Sequence, residues 1–141
     1  MAEEIFVDSG AWVAIANKGD TFHSVAINIY PQVLMKYRHL MTTNFVVAEA
    51  HVIIRNELGH RAAIDFLEGI RASPRIERVM SALDLEAEAE KILRKYDDQD
   101  FSYTDAVSFA LMKARRIREA FAFDKHFSAM GFLCVPASVR S

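Results

Sequence analysis

The polar and apolar positions of this chain fall into short apolar runs separated by longer stretches with helical spacing. Ile5-Phe6-Val7 is continuous instead of alternating and stops on Asp8, the pattern of a strand hidden on both faces. We read residues 4–8 as the central strand of a sheet. Asp8 or Ser9 then caps a short helix over residues 10–16, ended by Asn17-Lys18-Gly19. Asp20 or Thr21 opens a second helix with Phe22, Val25, Ala26 and Ile29 on one side. Pro31 should kink or split that helix before a further segment at 33–38, because proline removes a backbone donor and crowds the preceding turn.

Leu40 to Thr43 is a short second strand. Thr43 or Asn44 caps a third helix that runs to Leu58 and stops at Gly59. The stripe Ala63, Phe66, Leu67 and Ile70 marks a fourth helix, broken by Ser73-Pro74. Ile76 to Met80 is a third strand. Ser81 with Asp84 has the spacing of a capping box, opening a helix that turns Leu85, Ala89, Ile92 and Leu93 inward. The acidic loop Asp97-Asp98-Gln99-Asp100 follows, and Ser102 with Asp105 repeats the box at the head of a helix to about Arg116. Residues 120–123 form a fourth strand ending on Asp124. After one short helix, 132–135 form a fifth, and Pro136 onward is a loose tail.

Strands and helices alternate with short connections, so the fold predicted is a three-layer α/β/α sandwich around a central parallel five-stranded sheet. At 141 residues and 52% hydrophobic content, one domain spanning residues 1–141 with one core is expected. The single cysteine, Cys134, excludes a disulfide framework and fits a small core side chain in a reducing compartment. No apolar run approaches the roughly 20 residues of a membrane span, and the start, Met1-Ala2-Glu3-Glu4, is acidic where a signal peptide is basic. A cytoplasmic protein is expected. The net charge of −2 argues against a general nucleic-acid coat.

Ligands of open parallel sheets bind outside the carboxyl ends of the strands, and four acids map there. Asp8 ends the first strand, Glu49 sits in the helix after the second, Asp105 in the first turn of the penultimate helix, and Asp124 ends the fourth strand. Asp8 and Asp124 can also act as N-caps, and Asp105 as the acid of a capping box. Glu49 has Phe45, Val46, Val52 and Ile53 as helix neighbours, which places it inside the stripe expected to face the core, with no lysine or arginine on its face. An ionised carboxylate there is costly unless it is paired, coordinates a cation or reaches the edge. Four converging carboxylates raise one another's pKa values, and a divalent cation reverses the penalty. Oxygen donors without histidine or cysteine suit Mg²⁺ or Mn²⁺ and argue against a structural zinc site. Such a site hydrolyses phosphodiesters in line, and the cation lets an acidic pocket meet phosphate.

Four segments, Ile5–Ala14, Thr42–Glu49, Ser102–Met112 and Phe121–Phe132, resemble the four motifs of PIN-domain nucleases. The likeness is greatest to the VapC-like toxins of prokaryotic toxin–antitoxin pairs. The resemblance implies a Mg²⁺- or Mn²⁺-dependent ribonuclease acting on RNA with Asp8, Glu49, Asp105 and Asp124 as its acidic ligands. It further implies a homodimer and, for a toxin, a small inhibitory antitoxin. Ser9, Thr43 and Thr104 match the small hydroxyl positions beside those acids, while Asp98 and Asp100 sit where the family often has an acid. Pro31 departs from a stretch that is usually one continuous helix, which bears on the dimer or partner surface.

Lys125 and His126, directly after Asp124, are placed to touch substrate phosphate. The cluster Lys113, Arg115, Arg116 and Arg118 is less suitable. At ~1.5 Å rise per residue, Arg115 lies about 15 Å down the helix from Asp105, and interaction with the helix C-terminus explains it. Trp12 is expected to pack on the sheet, and His23, His39, His51 and His60 lack ligand spacing. A receiver-like domain would carry paired acids after its first strand, and a haloacid-dehalogenase-type phosphatase a second aspartate where Gly10 stands. The remaining alternative is a catalytically weak PIN-fold protein-interaction module.

Overall fold

The computed structural model describes residues 2–137. Five strands form one all-parallel sheet: β1 (Ala2–Val7), β2 (Tyr37–Thr43), β3 (Ile76–Val79), β4 (Glu119–Phe121) and β5 (Leu133–Val135), in the order β3-β2-β1-β4-β5. The apolar run that ends on Asp8 is therefore the middle strand. Ile5 and Phe6 pair with Leu40 and Met41 on one side, and Val7 with Phe121 on the other. All six of these residues are fully buried.

Helices α1 (Ser9–Ala16), α2 (His23–Lys36), α3 (Asn44–Leu58) and α4 (His60–Ala72) form one packed group. Helices α5 (Leu83–Lys95), α6 (Tyr103–Arg115) and α7 (His126–Ala129) form another. Right-handed crossovers place the two groups on opposite faces of the sheet, which gives the three layers expected. The chain leaves β1 toward β2 on one side and reaches β4 on the other. The topological switch point, where such folds bind ligands, thus lies beyond the carboxyl ends of β1 and β4.

Three local expectations are corrected. Pro31 lies inside α2, which runs unbroken from His23 to Lys36. Proline denies a hydrogen bond to the carbonyl four residues earlier, and here both Pro31 and Ile27 are exposed, so water can satisfy that group. Ser81 and Asp84 form no capping box: α5 starts at Leu83 without a side-chain cap. The Ser81 N–H instead donates to Asn44 Oδ1 at 2.9 Å, and its hydroxyl donates to Glu86. The fourth strand ends at Phe121, two residues short of the predicted limit. Ala122 turns its N–H to the Val135 carbonyl, and Phe123 leaves the sheet to stack on Phe22. Pro136 and Ala137 follow β5, and the rest of the expected tail lies outside the described residues.

Tyr37 and Arg38, expected to end a helix, begin β2. Arg75 accounts for the sharp join. Its guanidinium donates to the carbonyls of Leu34, Tyr37 (2.7 Å) and Arg38 (2.8 Å), where α2 leaves acceptors without helical partners. Arg75→Met is expected to lower stability by about 2 kcal/mol, since charge-assisted hydrogen bonds to otherwise orphaned carbonyls are lost. A urea midpoint shift at unchanged slope measures this. A midpoint equal to wild type would mean that water replaces the guanidinium fully.

The remaining sequence assignments place bulk and charge away from the switch point. Trp12 is buried against Tyr30 and Phe66, with its indole N–H 3.4 Å from the Thr42 hydroxyl. Arg115 pairs with Glu77 at 3.1 Å and Glu4 at 3.9 Å, so this member of the basic cluster is engaged away from the acids.

Candidate active site

Asp8 follows β1 in extended backbone and sits at the head of α1, but its side chain makes no cap hydrogen bond. The carboxylate is therefore free to project into the crevice. It is 4% exposed, and its Oδ1 has no hydrogen-bond partner. Enclosure raises its pKa well above the usual carboxylate value, and the charges of Asp124, Asp105 and Glu49 push in the same direction. Asp8 thus feels the charge of all three other sequence-predicted acids, although among the described residues the ligand atoms that come within 4.8 Å of one another belong to Asp105, Asp124 and His126, without Asp8 or Glu49.

Asp105 is fixed by the capping box that the sequence announced. Ser102 Oγ accepts the Asp105 N–H at 3.0 Å, and Asp105 Oδ2 accepts the Ser102 N–H at 3.1 Å. Asp124 lies in the turn after β4, where its Oδ1 accepts the His126 N–H at 2.8 Å. Burial and the neighbouring Asp105 charge raise the Asp124 pKa. The structural role of Asp105 thus coexists with a place in the crevice.

Glu49 sits differently from expectation. The buried face of α3 is Val46, Val47, Ala50 and Ile54, while Val52 is 48% exposed. That rotation leaves Glu49 half-buried at the border of the core face, where its Oε1 accepts the Ser9 hydroxyl. Ser9, directly after Asp8, thereby ties Glu49 to the head of α1.

The hydroxyl candidates separate. Ser9 is buried and holds Glu49. Thr43 is corrected: it is fully buried, and its hydroxyl accepts the Val46 N–H at 3.1 Å as the N-cap of α3, so it is unavailable to a substrate. Thr104 is half-buried beside Asp105, and Lys125 is exposed beside Asp124.

His126 and Asp100 carry more of the site than spacing suggested. The imidazole bridges two carboxylates, with Nδ1 2.8 Å from Asp105 Oδ2 and Nε2 2.8 Å from Asp100 Oδ1. Its Nδ1 is 4.0 Å from Asp124 Oδ2. Burial alone would lower the His126 pKa, but Asp100, Asp105 and Asp124 together hold it above the ordinary value. Asp100 is correspondingly lowered by its hydrogen bond to the ring. Asp105, Asp124 and His126 can each offer one ligand atom such that all lie within 4.8 Å of one another. Each residue stood out in the sequence, but their pairing did not, because Asp100 and His126 are 26 positions apart.

These shifts set a pH dependence. A raised folded-state pKa contributes stability that is complete below the unfolded value and lost as pH rises through the folded value. Asp8 and Asp124 act in this sense above about pH 4, and His126 above about 6.5. Asp100, shifted down, is already ionised throughout that window. The melting temperature of metal-free protein should therefore fall between about pH 5 and 8. A flat or rising profile in EDTA would show that the acids are not crowded.

A cavity of about 370 Å³ opens beside Asp8, with Ser9, Asp124, Phe22 and Phe123 also in its wall and Glu49 and Asp105 outside its lining. Hard oxygen donors around a buried, unpartnered carboxylate oxygen fit a divalent cation. Fold and site together define an α/β domain with an acidic crevice at the switch point of a parallel sheet, whose donor atoms fit a divalent cation.

The chain belongs to the PIN-domain family, whose model matches residues 5–133. It is 39% identical over 131 residues to the 23S rRNA-specific endonuclease VapC20 of Mycobacterium tuberculosis, covering 92% of this chain and 95% of that protein, in both strains CDC 1551 / Oshkosh and ATCC 25618 / H37Rv. The crystal structure of M. tuberculosis VapC20, described as a Sarcin-Ricin loop cleaving toxin, superposes with a TM-score of 0.84 at 37% identity. That match covers 91% of this chain and 95% of the other. VapBC2 of Rickettsia felis, solved with a DNA fragment from its promoter, matches with a TM-score of 0.67 at 11% identity over 91% of this chain and 93% of that one, a likeness of fold alone.

Proposed function

We propose that this chain is a Mg²⁺- or Mn²⁺-dependent endoribonuclease, the toxin of a toxin–antitoxin pair, with a ribosomal RNA loop as its substrate. The observation that carries the chemistry is Asp8 Oδ1, buried without a partner amid the charges of Asp124, Asp105 and Glu49. The kinship to VapC20 supports the substrate class. A homodimer, a small antitoxin and a cytoplasmic location complete the reading. Among the described residues, no helix is long and apolar enough to cross a membrane.

In this reading Asp8, Glu49, Asp105 and Asp124 hold the cation. When bound, it supplies Lewis-acid stabilisation of the charge that develops on the phosphate, and acidification of the attacking water. Ser9 fixes the Glu49 carboxylate, and the capping box fixes Asp105. His126 ties Asp105 to the Asp100 loop, which limits how far α6 and that loop can separate. Lys125 offers an exposed ammonium beside Asp124 for the flanking phosphate.

Purified protein with Mn²⁺ should cut a 23S rRNA fragment containing the sarcin–ricin loop at one position, and leave it intact in EDTA. Cleavage of a mixed RNA panel but not of this fragment would retain the ribonuclease and reject the substrate. An uncut panel under every divalent cation would reject the enzyme and leave a protein-interaction module.

A further inference from the structure

The acidic cavity has an aromatic wall that its metal chemistry does not require. Phe22 and Phe123 stack with centroids 4.6 Å apart and planes within 9°. Phe123 in turn meets the fully buried Phe121 edge-on at 5.9 Å, so the stack is rooted in the core. Phe22 is the outer member and remains 44% exposed. One ring face is covered by Phe123, so the exposed area belongs to the opposite face and its edges.

The backbone holds Phe22 in place. Its N–H donates to Asp20 Oδ1 at 2.9 Å, and its carbonyl accepts the Ala26 N–H at 2.9 Å as α2 begins. Little freedom is left to lose on binding. A second cavity of about 440 Å³ adjoins the first, sharing Phe22, Phe123 and Asp124, with Val25, Cys134 and Lys125 also in its wall. The shared residues put an apolar, ligand-sized space next to the acids.

We propose that the exposed face of Phe22 is a stacking platform for an unpaired nucleobase of the RNA, one nucleotide from the phosphate held at Asp8 and Asp124. This rests on the ribonuclease reading above. Every base presents a π-face, and stacking on an aromatic side chain is worth enough to see in binding. Lys125, in the wall of the apolar cavity and directly after Asp124, supplies charge for the intervening phosphate. A base in a duplex cannot present its face to the ring, so the platform selects loops and single strands.

The test measures binding in Ca²⁺ of a labelled ten-nucleotide single-stranded RNA, and of the same backbone carrying abasic spacers. Wild type, Phe22→Leu and Phe22→Tyr are compared after thermal melts show all three folded. Phe22→Leu should weaken RNA binding about tenfold, Phe22→Tyr should restore it, and the abasic strand should bind all three alike. Equal RNA affinities, or an equal loss on the abasic strand, would overturn the platform. If Phe22→Leu instead changes only self-association in sedimentation, the apolar face is a protein interface and the proposal fails. A wild type that cleaves RNA while the variants behave identically rejects the platform alone. A wild type that neither binds nor cleaves RNA rejects the nuclease reading, and the platform with it.

Discussion

Asp8→Asn is expected to abolish RNA cleavage and, at the same time, to leave metal-free protein more stable than wild type. The two effects share one origin. Asp8 is enclosed, its Oδ1 lacks a partner, and three other acids raise the cost of its charge. Asparagine keeps the shape, removes the charge and brings an NH₂ group that can donate to a neighbouring carboxylate. Stability at pH 7 in EDTA should rise by about 1 kcal/mol or more, since even one unit of pKa displacement corresponds to that amount. Cleavage should fall at least about a thousandfold, because a lost cation ligand removes several kcal/mol of transition-state stabilisation. Thermal melts and gel assays read the two quantities. Lower stability together with lost activity would make Asp8 a structural cap.

The second large effect is that of the cation itself. A ligand at a hundred times its dissociation constant stabilises the native state by about 2.7 kcal/mol, which for a chain of this size raises the melting temperature by roughly 8 °C. Mg²⁺ or Mn²⁺ should produce such a rise in wild type and flatten the pH profile seen in EDTA. Glu49→Gln should show much less of it. Glu49 is half-buried and held by Ser9, so its loss removes a donor without opening the core. Equal rises in the two proteins would take Glu49 out of the site.

What was legible in the sequence was what is local. The run Ile5-Phe6-Val7 ending on Asp8 identified the central strand, because burial on both faces removes alternation. Ser102 and Asp105 form their box within one helical turn, and Gly59, at φ 98°, ends α3 where expected. What failed depended on surroundings that spacing alone does not show. Ser81 had the correct spacing for a cap, but Asn44 occupies its N–H from 37 positions away. Pro31 broke nothing because the acceptor it orphans faces solvent. Thr43 read as a site residue from its neighbourhood, yet the hydroxyl is consumed by the helix it starts.

The same reasoning explains the site. Four acids were each visible, but the sequence could not place His126 between Asp100 and Asp105, a bridge made only when α6, α7 and the acidic loop meet. Nor could it show that the core face of α3 excludes Glu49 by a fraction of a turn. Both facts matter to chemistry, since they decide which carboxylates are held and by what.

The central claim is that Asp8, Glu49, Asp105 and Asp124 share one divalent cation, and calorimetric titration of metal-free protein with Mn²⁺ tests it most directly. Wild type should bind saturably, and Asp8→Asn should bind at least tenfold more weakly while remaining folded. Saturable binding of equal strength in both proteins, or none in wild type, would contradict the claim.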